Sequence, residues 1–301
     1  MIKMLNEILN EAKKYHSKIA VAVAEDRAVL KACKNAINEN ISEFIFFGNE
    51  QLLKTLTSEL NMKDGFEIIN AESQNSAIEK AVDSVASGDA KFLMKGKVRT
   101  GDLLKEFLNE KYSLRTNRTM NLVSVFQIPD FNRLLIVSDA GMVIQPTLQQ
   151  KIHCISNCIN VAKTLKIEKP KVALLGAVET VNPKMSATMD AAMISKMADR
   201  GQLKGAEIDG PFALDNAVSV EAAEHKGILS SVAGKADILI MPDIEAGNIF
   251  YKAMVFLAGS VVASTITGGK TPIVLTSRAD TEKSKLYSIA LNVLLAEGYH
   301  E

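Results

Sequence analysis

Cysteine is scarce: Cys33, Cys154 and Cys158 are the three in a chain of 301 residues. An odd, sparse set does not build a disulfide framework and points to a reducing compartment, the cytoplasm. Net charge is missing as well, because 35 basic and 35 acidic residues cancel. Nucleic acid or an anionic membrane favours a basic surface, and the totals offer none. Small anionic substrates are left open, since a few local cations serve them. No window reaches about 18 apolar residues without a charge, so no membrane span is expected. The first residues mix Lys, Glu and Asn with apolar positions, as in an amphipathic helix and unlike a signal peptide. GxGxxG, GxSxG and HExxH are all absent, and with them the commonest dinucleotide, hydrolase and zinc-protease signatures.

What is present is an alternation. Short apolar runs rich in β-branched residues predict strands at 18–25, 45–49, 92–96, 122–128 and 134–140, then at 171–178, 206–210, 236–243 and 272–278. Several are apolar on both faces, as strands covered by helices on each side must be. Between them, apolar residues recur at helical spacing. Val29, Leu30, Cys33 and Ile37 follow Asp26, a candidate N-cap, and a last helix runs over 280–297. The pattern predicts an α/β protein with mainly parallel sheets, and the length suggests two domains. No Pro/Gly/Ser-rich linker separates them, so the chain is expected to cross directly, near 139–146 and again near 278.

Three segments carry candidate chemistry. Thr276-Ser277-Arg278-Ala279-Asp280 stands where a buried strand turns into a helix, the edge at which open α/β sheets bind ligands. A hydroxyl beside a guanidinium fork suits a phosphoryl group there. The same pattern also fits a helix-capping Ser277 with Arg278 in solvent. Lys95, Lys97, Arg99 and Lys105 surround Gly96 and Gly101 after another strand, with Arg115 and Arg118 shortly beyond. This fits a phosphate-binding turn, or equally a solvated one with scattered charge. Asp243, Gly247 and Asn248 open a helix after a third strand, where Asp243 fits a ligand-facing position or equally an N-cap or loop residue. Glycine in a helix costs about 1 kcal/mol relative to Ala, which implies a close backbone approach or ligand access. Gly268-Gly269-Lys270-Thr271 is not a phosphate loop, because the earlier glycine is missing and a strand follows. His153, Cys154 and Cys158 lack a second ligand pair and read as helix positions.

Four stretches taken together resemble the phosphate acetyl/butyryltransferase family: 181–217 (VNPKMSATMDAAMISK…), 232–252 (VAGKADILIMPDIEAGNIFYK), 271–280 (TPIVLTSRAD) and the MKGKV segment at 94–98. Order and spacing match over nearly the whole chain. The resemblance implies two α/β domains, residues 1–138 plus 279–301 and residues 139–278. It also implies an active-site cleft between them, in an architecture like that of isocitrate and isopropylmalate dehydrogenases. It further implies a homodimer that exchanges short-chain acyl-CoA and inorganic phosphate with acyl phosphate and coenzyme A, without a redox cofactor or metal. Butyryl or branched acyl groups are expected ahead of acetyl. Ser277 and Arg278 match the family's reaction-centre pair, and Asp280 follows them. Lys105 falls where related enzymes place a phosphate-binding arginine, so Arg99 or Arg115 would supply the fork that a lysine lacks. Ser284 stands where acetyl-specific members carry an aspartate, which leaves any general base unassigned. The rival readings are a metal/NAD-dependent hydroxy-acid dehydrogenase of related fold, and a non-catalytic sensor that binds coenzyme A or acyl phosphate.

Overall fold

The β-branched runs form strands and the helical patterns between them form helices. The computed structural model describes residues 1–275 and 280–298. Contacts divide the chain into two units, one of Leu5–Asn117 with Ala263–Glu301, the other of Met1–Met4 with Arg118–Val262.

The unit of Leu5–Asn117 with Ala263–Glu301 opens with α1 (Leu5–Ala12), β1 (Ser17–Ala22), α2 (Arg27–Asn38) and β2 (Ser42–Gly48). It continues with α3 (Glu50–Glu59), β3 (Phe66–Asn70), α4 (Gln74–Ala86), β4 (Phe92–Lys95) and α5 (Thr100–Phe107). Asp26 does cap α2, its carboxylate accepting the Ala28 and Val29 amides at 2.8 and 3.1 Å. The unit of Met1–Met4 with Arg118–Val262 holds β5 (Asn121–Gln127), β6 (Leu135–Ser138), α6 (Leu148–Thr164), β7 (Lys171–Leu175) and α7 (Ser186–Asp199). After these come β8 (Glu207–Phe212), α8 (Leu214–Val218), α9 (Val220–His225), β9 (Ile238–Ile240) and α10 (Ile244–Phe256). The chain returns through β10 (Val261–Thr267) to β11 (Ile273–Val274) and α11 (Glu282–Gly298).

In the unit that opens with α1 the strand order is β3-β2-β1-β4-β11-β10, parallel except where β10 meets β11. In the other unit the order is β5-β6-β9-β7-β8, with β5 and β6 antiparallel and the rest parallel. Ile19–Ala22 of β1 and Phe92–Met94 of β4 are fully buried, as central strands require.

The crossings fall at 117/118 and 262/263, earlier than the expected 138/139 and 278/279. The physical reason is the β5–β6 hairpin, in which Ser124 faces Val137 and Val125 faces Ile136. Helix α6 packs on β5, β6 and β9 alike, so a boundary after residue 138 would cut through one packed layer.

Helix α11 is buried on nearly all sides, and its polar residues are matched to β10. The Ser288 hydroxyl accepts the Ser264 amide at 3.0 Å, and Asn292 accepts the Thr265 hydroxyl at 2.7 Å. Asn292 also donates to the Ser264 carbonyl at 3.2 Å. Buried polar groups satisfied in this way fix one register of helix on strand. Among the described residues, no helix is long and apolar enough to cross a membrane.

Candidate active site

Strands β4 and β11 run parallel, with Leu93 beside Ile273 and Met94 beside Val274. Their carboxyl ends therefore leave the sheet at the same edge. The β4 end carries Lys95, and the β11 end leads toward Ser277 and Arg278, which lie outside the described residues.

The turn after β4 is shaped by Gly96. A Cβ there would run into the carbonyls of Val23 and Ala22, so only glycine lets the turn lie against the end of β1. The Gly96 and Lys97 amides donate to the Ala22 and Val23 carbonyls at 3.0 and 2.7 Å. Those two N–H groups are thus committed to the fold. Lys95, half-buried, donates to the Gly96 and Val98 carbonyls at 3.2 and 3.0 Å, folding over its own loop. Lys97 and Arg99 are exposed, Arg99 immediately before α5 and without a capping bond. Lys105 is exposed in the last turn of α5, and Arg115 is exposed beyond it.

The segment bearing Lys105 and Arg115 is held at several points. Tyr112 donates to the Glu106 carboxylate at 2.7 Å, and Lys111 bridges Glu79 and Glu106 at 2.7 and 3.1 Å. The Tyr112 bond, then Lys111, holds the Glu106 carboxyl below its ordinary value, while burial raises the Tyr112 phenol to about 12. The phenol therefore keeps its proton and remains a donor. Further along, the Thr116 hydroxyl bonds the Gly268 carbonyl, and the Lys270 amide donates to the Leu114 carbonyl at 2.9 Å. Gly269 permits this approach, since a Cβ would meet the Phe107 ring. The cation-bearing segment is thereby fastened to the β10–β11 turn, and the GGKT sequence serves that turn and not a phosphate loop.

At the start of α11, Asp280 is half-buried. Ser284 is buried, and its amide and hydroxyl both bond the Thr281 hydroxyl at 3.1 Å. These bonds place Ser284 in the start of the helix.

Asp243, Gly247 and Asn248 belong to the other unit and hold one of its loops. Asp243 caps α10 by accepting the Ala246 amide at 2.9 Å. Gly247 lies under the Asp139 carbonyl, which a Cβ would strike, and Asn248 donates to the Ala140 carbonyl at 2.9 Å. Close backbone approach thus accounts for the glycine. Asp139, missed in the sequence, is buried and accepts four amides at 2.6–3.3 Å, those of Leu122, Gly141, Met142 and Val143. Burial raises its carboxyl, and the amides partly offset that shift. The neighbouring Lys151 is buried against Asp190 at 2.8 Å, a second residue missed, though a lysine inside the apolar stripe of α6 was a readable signal.

His153 contacts Thr119 and Gln149 at 3.1 and 3.0 Å, while Cys154 and Cys158 are buried, with burial raising the Cys154 thiol to about 12. Among the described residues no cluster of His, Cys, Asp and Glu is arranged to hold a metal.

The whole chain has relatives. A family model described as "Phosphate acetyl/butaryl transferase" matches residues 3–84 and 74–293. The chain is 53% identical to a phosphate acetyltransferase of Thermotoga maritima, covering 97% of this chain and 99% of that protein. It is 45% identical to a phosphate butyryltransferase of Clostridium acetobutylicum, with 98% and 99% covered. The fold superposes on a branched-chain phosphotransacylase of Enterococcus faecalis with a TM-score of 0.83 and 31% identity, covering 93% of this chain and 99% of that one. The chain therefore belongs to the phosphate acetyl/butaryl transferase family.

Proposed function

We propose that the protein is an acyltransferase that interconverts a short-chain acyl-CoA plus phosphate with acyl phosphate plus coenzyme A. The observation that carries this reading is the near full-length identity to relatives named for both acetyl and butyryl transfer. In the direction of thioester synthesis, the coenzyme A thiolate attacks the acyl carbonyl carbon. The carbon–oxygen bond to phosphate breaks, and phosphate leaves with the electron pair. Both reactants are anionic, so cations must offset their repulsion while the site aligns them.

In this reading Arg278 holds the phosphoryl oxygens and Ser277 donates a hydrogen bond to the sulfur or the attacking oxygen, with no acyl-enzyme formed. The exposed cations at 97, 99, 105 and 115 draw in the anionic substrates, while Lys95 braces the turn that carries them. Asp280 orders the entry to α11. Asp243, Gly247 and Asn248 shape a loop of their own unit. We favour butyryl or branched acyl groups, because Ser284 occupies the aspartate position of acetyl-specific members. The 53% identical acetyltransferase pulls the other way. We also read the chain as a cytoplasmic homodimer; three buried free thiols fit a reducing compartment.

The test is free-thiol release from acetyl-, propionyl-, butyryl- and isobutyryl-CoA, with and without phosphate. Release that requires phosphate is the expected result, and its rate order assigns the acyl group. Thiol release indifferent to phosphate, or none with any of the four, would refute the proposal.

A further inference from the structure

Two lysines are deeply buried among the described residues, Lys151 at 6% exposure and Lys285 at 4%. They differ in what meets their charge. Lys151 faces the Asp190 carboxylate at 2.8 Å. Lys285 faces a neutral acceptor, the main-chain carbonyl of Asp280, at 2.5 Å. An ammonium has three N–H donors, and one carbonyl occupies one of them. Among the described residues no carboxylate pairs with Lys285, and Glu282 one turn away is committed to Lys31.

The position makes this more costly. Lys285 lies in the first turn of α11, and its side chain folds back toward the helix start, as helical side chains do. The free amides and dipole of a helix start repel a cation and attract an anion. A buried ammonium there, with one neutral partner, is unfavourable until an anion joins it. In sequence, Arg278 stands four residues before this helix begins.

We propose that Lys285 is a binding residue for the phosphoryl group exchanged in the reaction, meeting its oxyanion at the entrance of α11. The choice of phosphate as the anion rests on the acyltransferase reading; the need for an anion rests on the buried charge. Nothing in the sequence singled Lys285 out, because its burial follows from the packing of α11 against α1 and α2.

Thermal unfolding in titrations of inorganic phosphate and, separately, coenzyme A tests this on wild type, Lys285→Met and Lys285→Arg. Phosphate should raise the wild-type melting temperature. Lys285→Met should melt at or above wild type without phosphate and lose the phosphate-dependent rise, while Lys285→Arg keeps it. In the thiol-release assay, KM for phosphate in Lys285→Met should rise about tenfold, as for loss of a charge-assisted hydrogen bond. A Lys285→Met protein that is insoluble, or melts well below wild type yet keeps the phosphate response, would show a structural lysine and overturn the proposal. So would a wild type indifferent to phosphate, or loss of the coenzyme A response alone. A phosphate response lost in Lys285→Met, in a wild type without phosphate-dependent thiol release, would uphold the anion site and refute the acyltransferase reading. Thiol release with an unchanged phosphate response in Lys285→Met would do the reverse.

Discussion

The side-chain amide of Asn248 donates to the main-chain carbonyl of Ala140 at 2.9 Å, across 108 residues of sequence. With Gly247 beneath the Asp139 carbonyl, it fixes the loop whose amides surround the Asp139 carboxylate. Gly247→Ala should destabilise the protein by about 1–3 kcal/mol, as overpacking of a tight backbone contact does. Asn248→Ala should cost about 1 kcal/mol for one lost hydrogen bond. Urea unfolding of both variants checks the order.

The Thr116 hydroxyl bonds the Gly268 carbonyl and so ties the Arg115 segment to the β10–β11 turn. Thr116→Val keeps the shape and removes the donor. It should lower stability by about 1 kcal/mol and raise KM for phosphate, with Thr116→Ser restoring both. Unchanged kinetics in Thr116→Val would separate this tether from the site.

Arg278→Gln should lower turnover about tenfold or more through lost stabilisation of the phosphoryl charge. Ser277→Ala should slow turnover, and mass spectrometry of wild type under turnover should find no acyl group on Ser277. A serine-linked acyl adduct would replace the direct-transfer mechanism with a covalent one.

Glu207 is bonded by Ser231, Lys171 and Lys169, which together lower its carboxyl from 4.5 to about 2. Because the folded value lies below the unfolded one, ionised Glu207 adds stability above about pH 4.5. That contribution fades as the pH falls toward about 2. Glu207→Gln should flatten the acid limb of stability over that window, measured by urea unfolding from pH 5 to pH 2, in steps of about 0.5.

The strands that were legible were those whose burial is apolar and local. The run at 18–25 is readable as β1 because residues 19–22 are hydrophobic without interruption. β10 escaped notice because Ser264, Thr265 and Thr267 are polar yet buried, and two of these depend on Ser288 and Asn292, which come 24 and 27 residues later. β3 escaped because Glu67, Ile69 and Asn70 are exposed, so its alternation is weak. In the candidate site, the glycines announced that something approached closely, and the sequence had no means of saying what. At Gly96 and Gly247 it is a carbonyl of the protein itself. Asp243 likewise could read as ligand-facing or capping until its bond to the Ala246 amide showed the cap. Family resemblance supplied Ser277 and Arg278, which local pattern alone could not distinguish from a helix cap.

The return of the chain through β10, β11 and α11 has a bearing on how the protein is made. During synthesis the ribosome releases β4 long before β11, and residues 118–262 emerge between them. The middle of the chain can complete its own sheet while the earlier portion waits with β4 unpaired on one side. An exposed strand edge of this kind is a template for wrong pairing. The Ser288 hydroxyl and the Asn292 amide that grip β10 therefore leave the exit tunnel only after the whole of residues 118–262, and the earlier portion closes after the middle one.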